Sequence, residues 1–370
     1  MASLFSPGRA EYASLFTKEF VAQVPEAKLR EIVRMYVGSL GAYQNAVGAS
    51  GDYRLVFEKG EAPGKVVLDA SGRVSGLWFG TWTLYDDTPA KLSAAFAALA
   101  GKVSVCVTRD GGAPVFSIDG DTPLGVGSAF KLYVLKALSL KVQKGDLKWH
   151  DVIRLSAQLM SLPSGSLQSW PAGTPVTLAT LAALMISMSD NTAADHLIAH
   201  LGRASVEAVS PARVRPFLST MEMFRIKWGM TEKDRRAYVA ASPEERARIL
   251  KGLGPADRAA IIPQTTPLLI DCVEWLMSTR ELCQVVFELR DSPYIAINPG
   301  LVAGTQWSLA GYKGGSEPGV LNYTHVLRKD ATGPVYAVSA TINNQNVEVN
   351  TQAFTLLVSR LIGMIGRTGI

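Results

Sequence analysis

Three short segments of this 370-residue chain combine hydroxyl, amine and amide groups at spacings that suit acyl transfer. Ser128-Ala129-Phe130-Lys131 comes after the loop TPLGVG and opens the apolar run FKLYVLKALSLKVQKG, and the i, i+3 spacing puts a hydroxyl and an amine on one helix face. Burial and neighbouring positive charge would lower the amine's pKa until it can take the serine proton, and a helix N-terminus adds partial positive charge where an oxyanion forms. Ser189-Asp190-Asn191 comes after the apolar run LAALMISM. A serine there can relay a proton between nucleophile and leaving group, while an asparagine can orient the lysine and a substrate amide. The same triplet reads equally well as the N-cap of the helix TAADHLIAHLG. Lys313-Gly314-Gly315 stands on the strand LAGYKGGS, where a lysine adds positive potential and the small residues let substrate lie along the backbone. The N–H of Ser316 would then complete an oxyanion hole with that of Ser128. Taken singly the segments are common, since Ser-x-x-Lys occurs mostly on surface helices and KGG reads as a turn.

The elements that must position these groups are of mixed type. Glu11 to Leu40 reads as two helices separated at Val24-Pro25, with Leu29, Ile32, Val33 and Tyr36 at helical spacing. GDYRLVFEKG, KVVLDASGRVSGLWF and GTWTLYDD then alternate apolar and polar residues around glycine turns, which predicts a small antiparallel sheet. The Asp86–Pro89 turn closes this unit, so a boundary is expected between residues 1–88 and 89–370. The aromatic residues Trp78, Phe79, Trp82 and Tyr85 read as its core or as its contact with the second unit. That second unit opens with the helix KLSAAFAALA and a hairpin of VSVCVTR and PVFSID, continues through long helices, and returns to strands in SLAGYKGG, NYTHVLRKD and PVYAVSATIN. A last amphipathic helix, TQAFTLLVSRLIGMI, ends the pattern, and Thr177 is placed to cap the helix TLATLAALMISM. These strands fit one mixed sheet covered by helices. TEKDRRAYVAASPEERARILKGLGPADRAA reads as a solvated helical insertion.

Composition excludes several other classes. With 48% hydrophobic and 19% charged residues, wholesale disorder and coiled coil are ruled out, and no run of about 18 apolar residues offers a membrane span. The 37 basic and 32 acidic residues are interspersed, so the net charge of +5 does not mark a nucleic-acid surface. Cys106, Cys272 and Cys283 form no CxxC pair and read as buried free thiols. His196 and His200 share a helix face but lack the glutamate of an HExxH site, so neither metal nor cofactor is expected. Gly125-Val126-Gly127 continues into no dinucleotide or Walker loop, and Ser128 is not in a GxSxG elbow.

Order and spacing together resemble the class A serine β-lactamases and the penicillin-binding-protein superfamily, which show SxxK, then SDN, then KTG or KSG. The resemblance spans about Lys91 to Ile370 and implies an α+β fold: an antiparallel sheet flanked by helices plus an all-helical subdomain, preceded by a small α+β unit similar to NTF2-like cones. It implies that Ser128 is acylated, Lys131 is its base, Ser189 is the proton shuttle, Asn191 the positioning group and Lys313 the electrostatic partner. The substrate it implies is a small molecule, a β-lactam or, alternatively, a carboxylic ester or D-alanyl peptide; a non-catalytic penicillin-recognising scaffold is a further reading. A periplasmic or secreted setting is implied too, although MASLFSPGRA shows no signal peptide; oligomeric state is not readable. Two positions depart from the pattern. Glu222 lies near the place of the glutamate that activates the deacylating water, but Met223-Phe224-Arg225-Ile226 comes next in place of a Leu-Asn pair, leaving a deacylation role and an ion-pair role open. Gly314 stands where the family has a hydroxyl that helps hold the substrate carboxylate, which leaves room for an ester, with Gly315, Ser316 and Arg328 as further binding candidates.

Overall fold

The computed structural model describes residues 2–5, 12–302 and 307–370. Glu11 and most of the N-terminal stretch on which the leader expectation rests lie outside them. The chain divides into two compact units, Met1–Ala98 with Gln352–Ile370, and Leu99–Thr351.

In the first unit, α1 (Lys18–Gln23) and α2 (Glu26–Leu40) meet at Val24-Pro25, where proline serves as the N-cap of α2 and is tolerated because no helical N–H is needed there. Beyond α2 lies an antiparallel sheet in the order β1 (Tyr43–Ala49), β2 (Asp52–Phe57), β3 (Gly60–Leu68) and β4 (Val74–Phe79), with β5 (Thr83–Leu84) paired to β3. Strand β1 carries no alternation in its sequence because both of its faces are largely exposed. Phe79 and Trp82 pack around Tyr36 as expected of a core, at ring centroid distances of 5.4 and 4.9 Å. Trp78 and Tyr85 are exposed instead. Helix α3 (Pro89–Ala97) also belongs to this unit, and Phe96 on it sets its ring edge-on against Phe354 of the C-terminal helix, Thr351–Thr368. Arg360 of that helix pairs with Asp87 at 2.5 Å.

The second unit is built on a five-stranded sheet. The hairpin β6 (Lys102–Arg109) and β7 (Pro114–Ile118) supplies one edge. The short β8 (Leu124–Gly125) leads to a 3₁₀ turn, Gly127–Phe130, and then to α4 (Lys131–Gln143), α5 (Leu178–Ser187) and α6 (Asn191–Leu201). After α7 (Thr220–Phe224) and a π-helical turn, Arg225–Gly229, come α8 (Glu232–Ala240) and α9 (Pro243–Gly252), polar helices whose only buried residues are Tyr238 and Leu250. This is the solvated insertion the sequence predicts. Next, β9 (Leu276–Met277) pairs with β8, and α10 (Thr279–Glu288) presses Leu282, Cys283, Val285 and Val286 onto the sheet. The strands β10 (Leu309–Glu317), β11 (Val320–Arg328) and β12 (Val335–Asn343) complete the order β10-β11-β12-β6-β7. Every pairing is antiparallel, so the expected mixed sheet is an antiparallel one. The core lies between this sheet and α4–α6, where Phe130 stacks on Trp275 at 3.8 Å and Thr177 caps α5 as its sequence position suggests.

Candidate active site

Ser128 lies in the 3₁₀ turn, one turn before the regular helix expected to carry it, and α4 starts at Lys131. Two glycines let strand β10 approach this turn backbone to backbone. Gly127 has φ +50°, and a Cβ there would sit 2.8 Å from the Ser316 nitrogen. A Cβ on Gly315 would overlap the Val126 carbonyl and the Ser128 amide. Only glycine fits at either place, and the approach brings the N–H groups of Ser128 and Ser316 into one neighbourhood, as an oxyanion hole requires.

Lys131 is fully buried and is the hub of the site. Its Nζ lies 2.6 Å from the Ser189 carbonyl, 2.6 Å from Asn191 Oδ1, 3.1 Å from Ser128 Oγ and 3.2 Å from Ser189 Oγ. The two carbonyl oxygens can only accept, so they take two N–H bonds of the amine. In the neutral amine that leaves the lone pair for the hydroxyls, Ser128 Oγ among them. Burial, with the Lys313 charge adding to it, holds the Lys131 pKa well below the ordinary lysine value, against the pull of Asp195 and Asp190. Asn191 accepts from the lysine through Oδ1, while its amide, which carries two N–H donors, gives one to Leu162 O at 3.0 Å.

Ser189 has φ +57°, a left-handed backbone that a serine adopts only when its surroundings impose it. Its carbonyl accepts from Lys131 and from Ser164 Oγ at 2.7 Å. Asp190 caps α6 by accepting from Ala193 N–H, and its other oxygen holds the Ser166 and Leu167 amides. The N-cap reading of this triplet is met by Asp190, and the Ser189 side chain takes no part in the cap. Lys313 Nζ donates to Ser189 Oγ at 3.0 Å, so that hydroxyl lies between two lysine nitrogens. Burial alone pulls the Lys313 pKa down to about 7.

Ser128, Ser189, Asn191 and Lys313 line a cavity of about 740 Å³, with Lys131 buried behind them. Gly314, Gly315 and Ser316 line it too, along β10. Glu222 does not: it forms a capping box with Ser219 and pairs with Arg203 at 2.5 Å, and it borders a different, smaller cavity. In its place Thr220 faces the Ser128 cavity, its hydroxyl 2.6 Å from Ser161 Oγ and its N–H held by Asp195. Arg328 is also not among the lining residues; it is paired with Leu309 and Val335 at the far end of β11 from Tyr323, which faces Gly314. His196 is tied into the fold, with Nε2 accepting from Ser156 N–H at 2.8 Å. Among the described residues no cluster of His, Cys, Asp and Glu could hold a metal ion, and no helix is long and apolar enough to cross a membrane.

Two features of the cavity go beyond the sequence reading. A Cβ on Gly314 would overlap Tyr312 Oη and lie 2.8 Å from its Cζ, so the phenol fills the space a side chain at 314 would occupy. A local signal for it exists, because alternate strand residues share a face and YKG puts Tyr312 beside Gly314. The second is a pair of carboxyl groups on the wall next to Gly127, buried Glu274, and Glu317, whose side chain is 9% exposed. Nothing local in the sequence marks it.

Comparison with known proteins places this fold. A β-lactamase from Sphaerobacter thermophilus DSM 20745 superposes with a TM-score of 0.52 at 21% identity, over 76% of this chain and 98% of that one. An ancestral class A β-lactamase gives 0.51 at 17%, over 74% and 98%. A protein designated PBP-A gives 0.50 at 16%, over 74% and 93%. At such identities the likeness is one of fold. No curated protein sequence matches the chain. The Beta-lactamase enzyme family matches residues 88–362, most of the chain and all of the site described above, and to that family of hydrolases this protein belongs.

Proposed function

We propose that Ser128 is acylated by β-lactams and that the chain works as a serine hydrolase with a long-lived acyl-enzyme. The observation that carries this reading is Lys131: fully buried, its N–H bonds directed to two carbonyl oxygens, with Ser128 Oγ 3.1 Å from its nitrogen. Neutral Lys131 takes the Ser128 proton as Oγ attacks the substrate carbonyl carbon. The oxyanion is met by the Ser128 and Ser316 N–H groups. Ser189, between the two lysine nitrogens, passes a proton to the departing nitrogen or oxygen as its bond to the carbonyl carbon breaks. The Tyr312 hydroxyl supplies the donor that Gly314 lacks. Burial raises its pKa, so it remains an O–H at any working pH.

Deacylation is less well served. Glu222 is engaged with Arg203, and Thr220 is no base. Burial, reinforced by the Glu317 charge, pushes the Glu274 carboxyl up to about 8, so it is protonated at neutral pH. The reading assigns the chemistry to the unit Leu99–Thr351, so that the boundary expected at 88/89 moves past α3 and the C-terminal helix goes with the first unit, and it sets the enzyme in the periplasm or outside the cell.

Intact-mass spectrometry after exposure to benzylpenicillin tests the proposal. A persistent adduct on the wild type, absent from Ser128→Ala, is expected. Hydrolysis of nitrocefin by Ser128→Ala at the wild-type rate would overturn it. Turnover of p-nitrophenyl acetate without any β-lactam adduct would transfer the assignment to esters.

A further inference from the structure

The acylation chemistry leaves unused three ionisable side chains beside Gly127. Lys227, on the π-helical turn, is fully buried and donates to Glu317 Oε1 at 2.5 Å. Glu274, in the loop before β9, is 7% exposed, and its Oε2 accepts from the N–H groups of Gly127 at 3.0 Å and Trp275 at 2.9 Å. The other two oxygens, Glu274 Oε1 and Glu317 Oε2, are buried and have no donor among the described residues, yet the two side chains are within hydrogen-bonding reach of each other.

Two buried carboxylates against one ammonium would leave a net negative charge out of water beside two unpaired acceptors, a costly arrangement. One proton removes both problems. We infer that Glu274 Oε1 and Glu317 Oε2 share a proton, and that the bridged pair is a positioning device holding the two oxyanion-hole amides at their working separation. Its reach is set by chain order. Glu274 grips Gly127, which immediately precedes Ser128, and Glu317 is the residue directly after Ser316. The bridge therefore ties the nucleophile turn to the end of β10 from behind. The raised Glu274 carboxyl agrees with a retained proton. The charged groups around the pair are Lys227 and, on the far side of the Glu274 segment, Arg213, Arg215, Arg246 and Asp271, which border a small separate cavity with it.

The positioning role rests on the acylation reading; the shared proton does not, so the test has two arms. In infrared difference spectra at pH 7, wild type minus Glu274→Gln should show a protonated-carboxyl C=O band. The difference is needed because burial also raises the Asp195 carboxyl to about 7. In acylation kinetics, Glu274→Gln, whose amide can donate to Glu317, should stay within about threefold of wild type. Glu274→Ala should lose about 10- to 100-fold in the acylation rate constant with little change in substrate binding, somewhat less than deletion of an oxyanion donor. The absence of the band, an alanine variant that acylates at the wild-type rate, or a glutamine variant as damaged as alanine would each overturn the inference. A band in a protein that never acylates would instead retire the acylation reading and leave the shared proton standing, and with it only a structural pair.

Discussion

Two lysines of this protein are removed from water completely, and they have opposite environments. Lys227 meets a carboxylate at 2.5 Å. Lys131 meets carbonyl and hydroxyl oxygens, has the Lys313 ammonium as an unfavourable neighbour, and feels Asp190 and Asp195 without a direct ion pair. Burial is the same in both; the counter-ion differs. A buried amine with a carboxylate keeps its proton and acts as a strut, whereas one surrounded by neutral acceptors gives up its proton and becomes a base. In a lysine-based acylation site the absence of a carboxylate beside the amine matters as much as the presence of the serine.

The contrast breaks most sharply at Lys131. Lys131→Met should slow adduct formation on Ser128 by about 10³- to 10⁴-fold, the upper range for loss of a general base. Its thermal stability should hold or rise, because a desolvated amine is replaced by an apolar chain of similar length. Rate constants from intact-mass time courses, with melting temperatures alongside, check this; a loss below tenfold would mean that another group takes the Ser128 proton.

At Lys227 the cost should appear in stability instead. Lys227→Met leaves Glu317 and Glu274 without their counter-ion, and breaking a buried pair from one side costs about 3–5 kcal/mol. Guanidinium unfolding should show that loss at pH 8 and a smaller one at pH 5, because the stranded carboxylate can take up a proton as pH falls. The folded fraction should acylate within about tenfold of wild type.

This contrast also marks what the sequence can reveal. The serine and Lys131 are linked by i, i+3 spacing, and the order of the three segments is linear information, so the centre of the candidate site is legible without the fold. The strands and helices of the second unit are legible for the same reason, since their periodicity is local. The pairing of Glu317 with Lys227 and Glu274 depends on three elements meeting in space, which no spacing rule encodes. The return of the C-terminal helix to the first unit, with Phe354 on Phe96, is likewise a long-range packing choice. Trp78 and Tyr85 depart from the expected core because aromatic content predicts burial only on average.

Lys313 sits between the extremes and gives a subtler prediction. In the proposed mechanism it must be charged to stabilise the developing oxyanion, while Lys131 must be neutral to accept the proton. Acylation should therefore rise with pH as Lys131 loses its proton and fall again as pH passes about 7, where Lys313 loses its own. Lys313→Arg, whose guanidinium stays charged, should remove the alkaline limb while lowering the plateau by roughly tenfold, because a planar fork replaces a point charge. A pH profile of the acylation rate in both proteins decides it; an alkaline limb unchanged in the arginine variant would show that some other group causes it.

The smallest effect is expected at Glu222, the residue whose sequence position most suggests chemistry. Its carboxylate accepts from the Ser219 N–H at 2.8 Å and from Arg203 at 2.5 Å, and it does not border the Ser128 cavity. Glutamine preserves the capping box, since an amide oxygen accepts as well as a carboxylate. What it loses is the charge on a partly exposed ion pair, worth about 1 kcal/mol or less. Glu222→Gln should thus cost at most that much in unfolding free energy and change the decay of the Ser128 adduct by less than about threefold. The adduct lifetime is the deciding measurement: a decay slowed a hundredfold would restore Glu222 as the deacylation base, and would require the short helix α7 that carries it to turn toward the cavity once Ser128 is acylated.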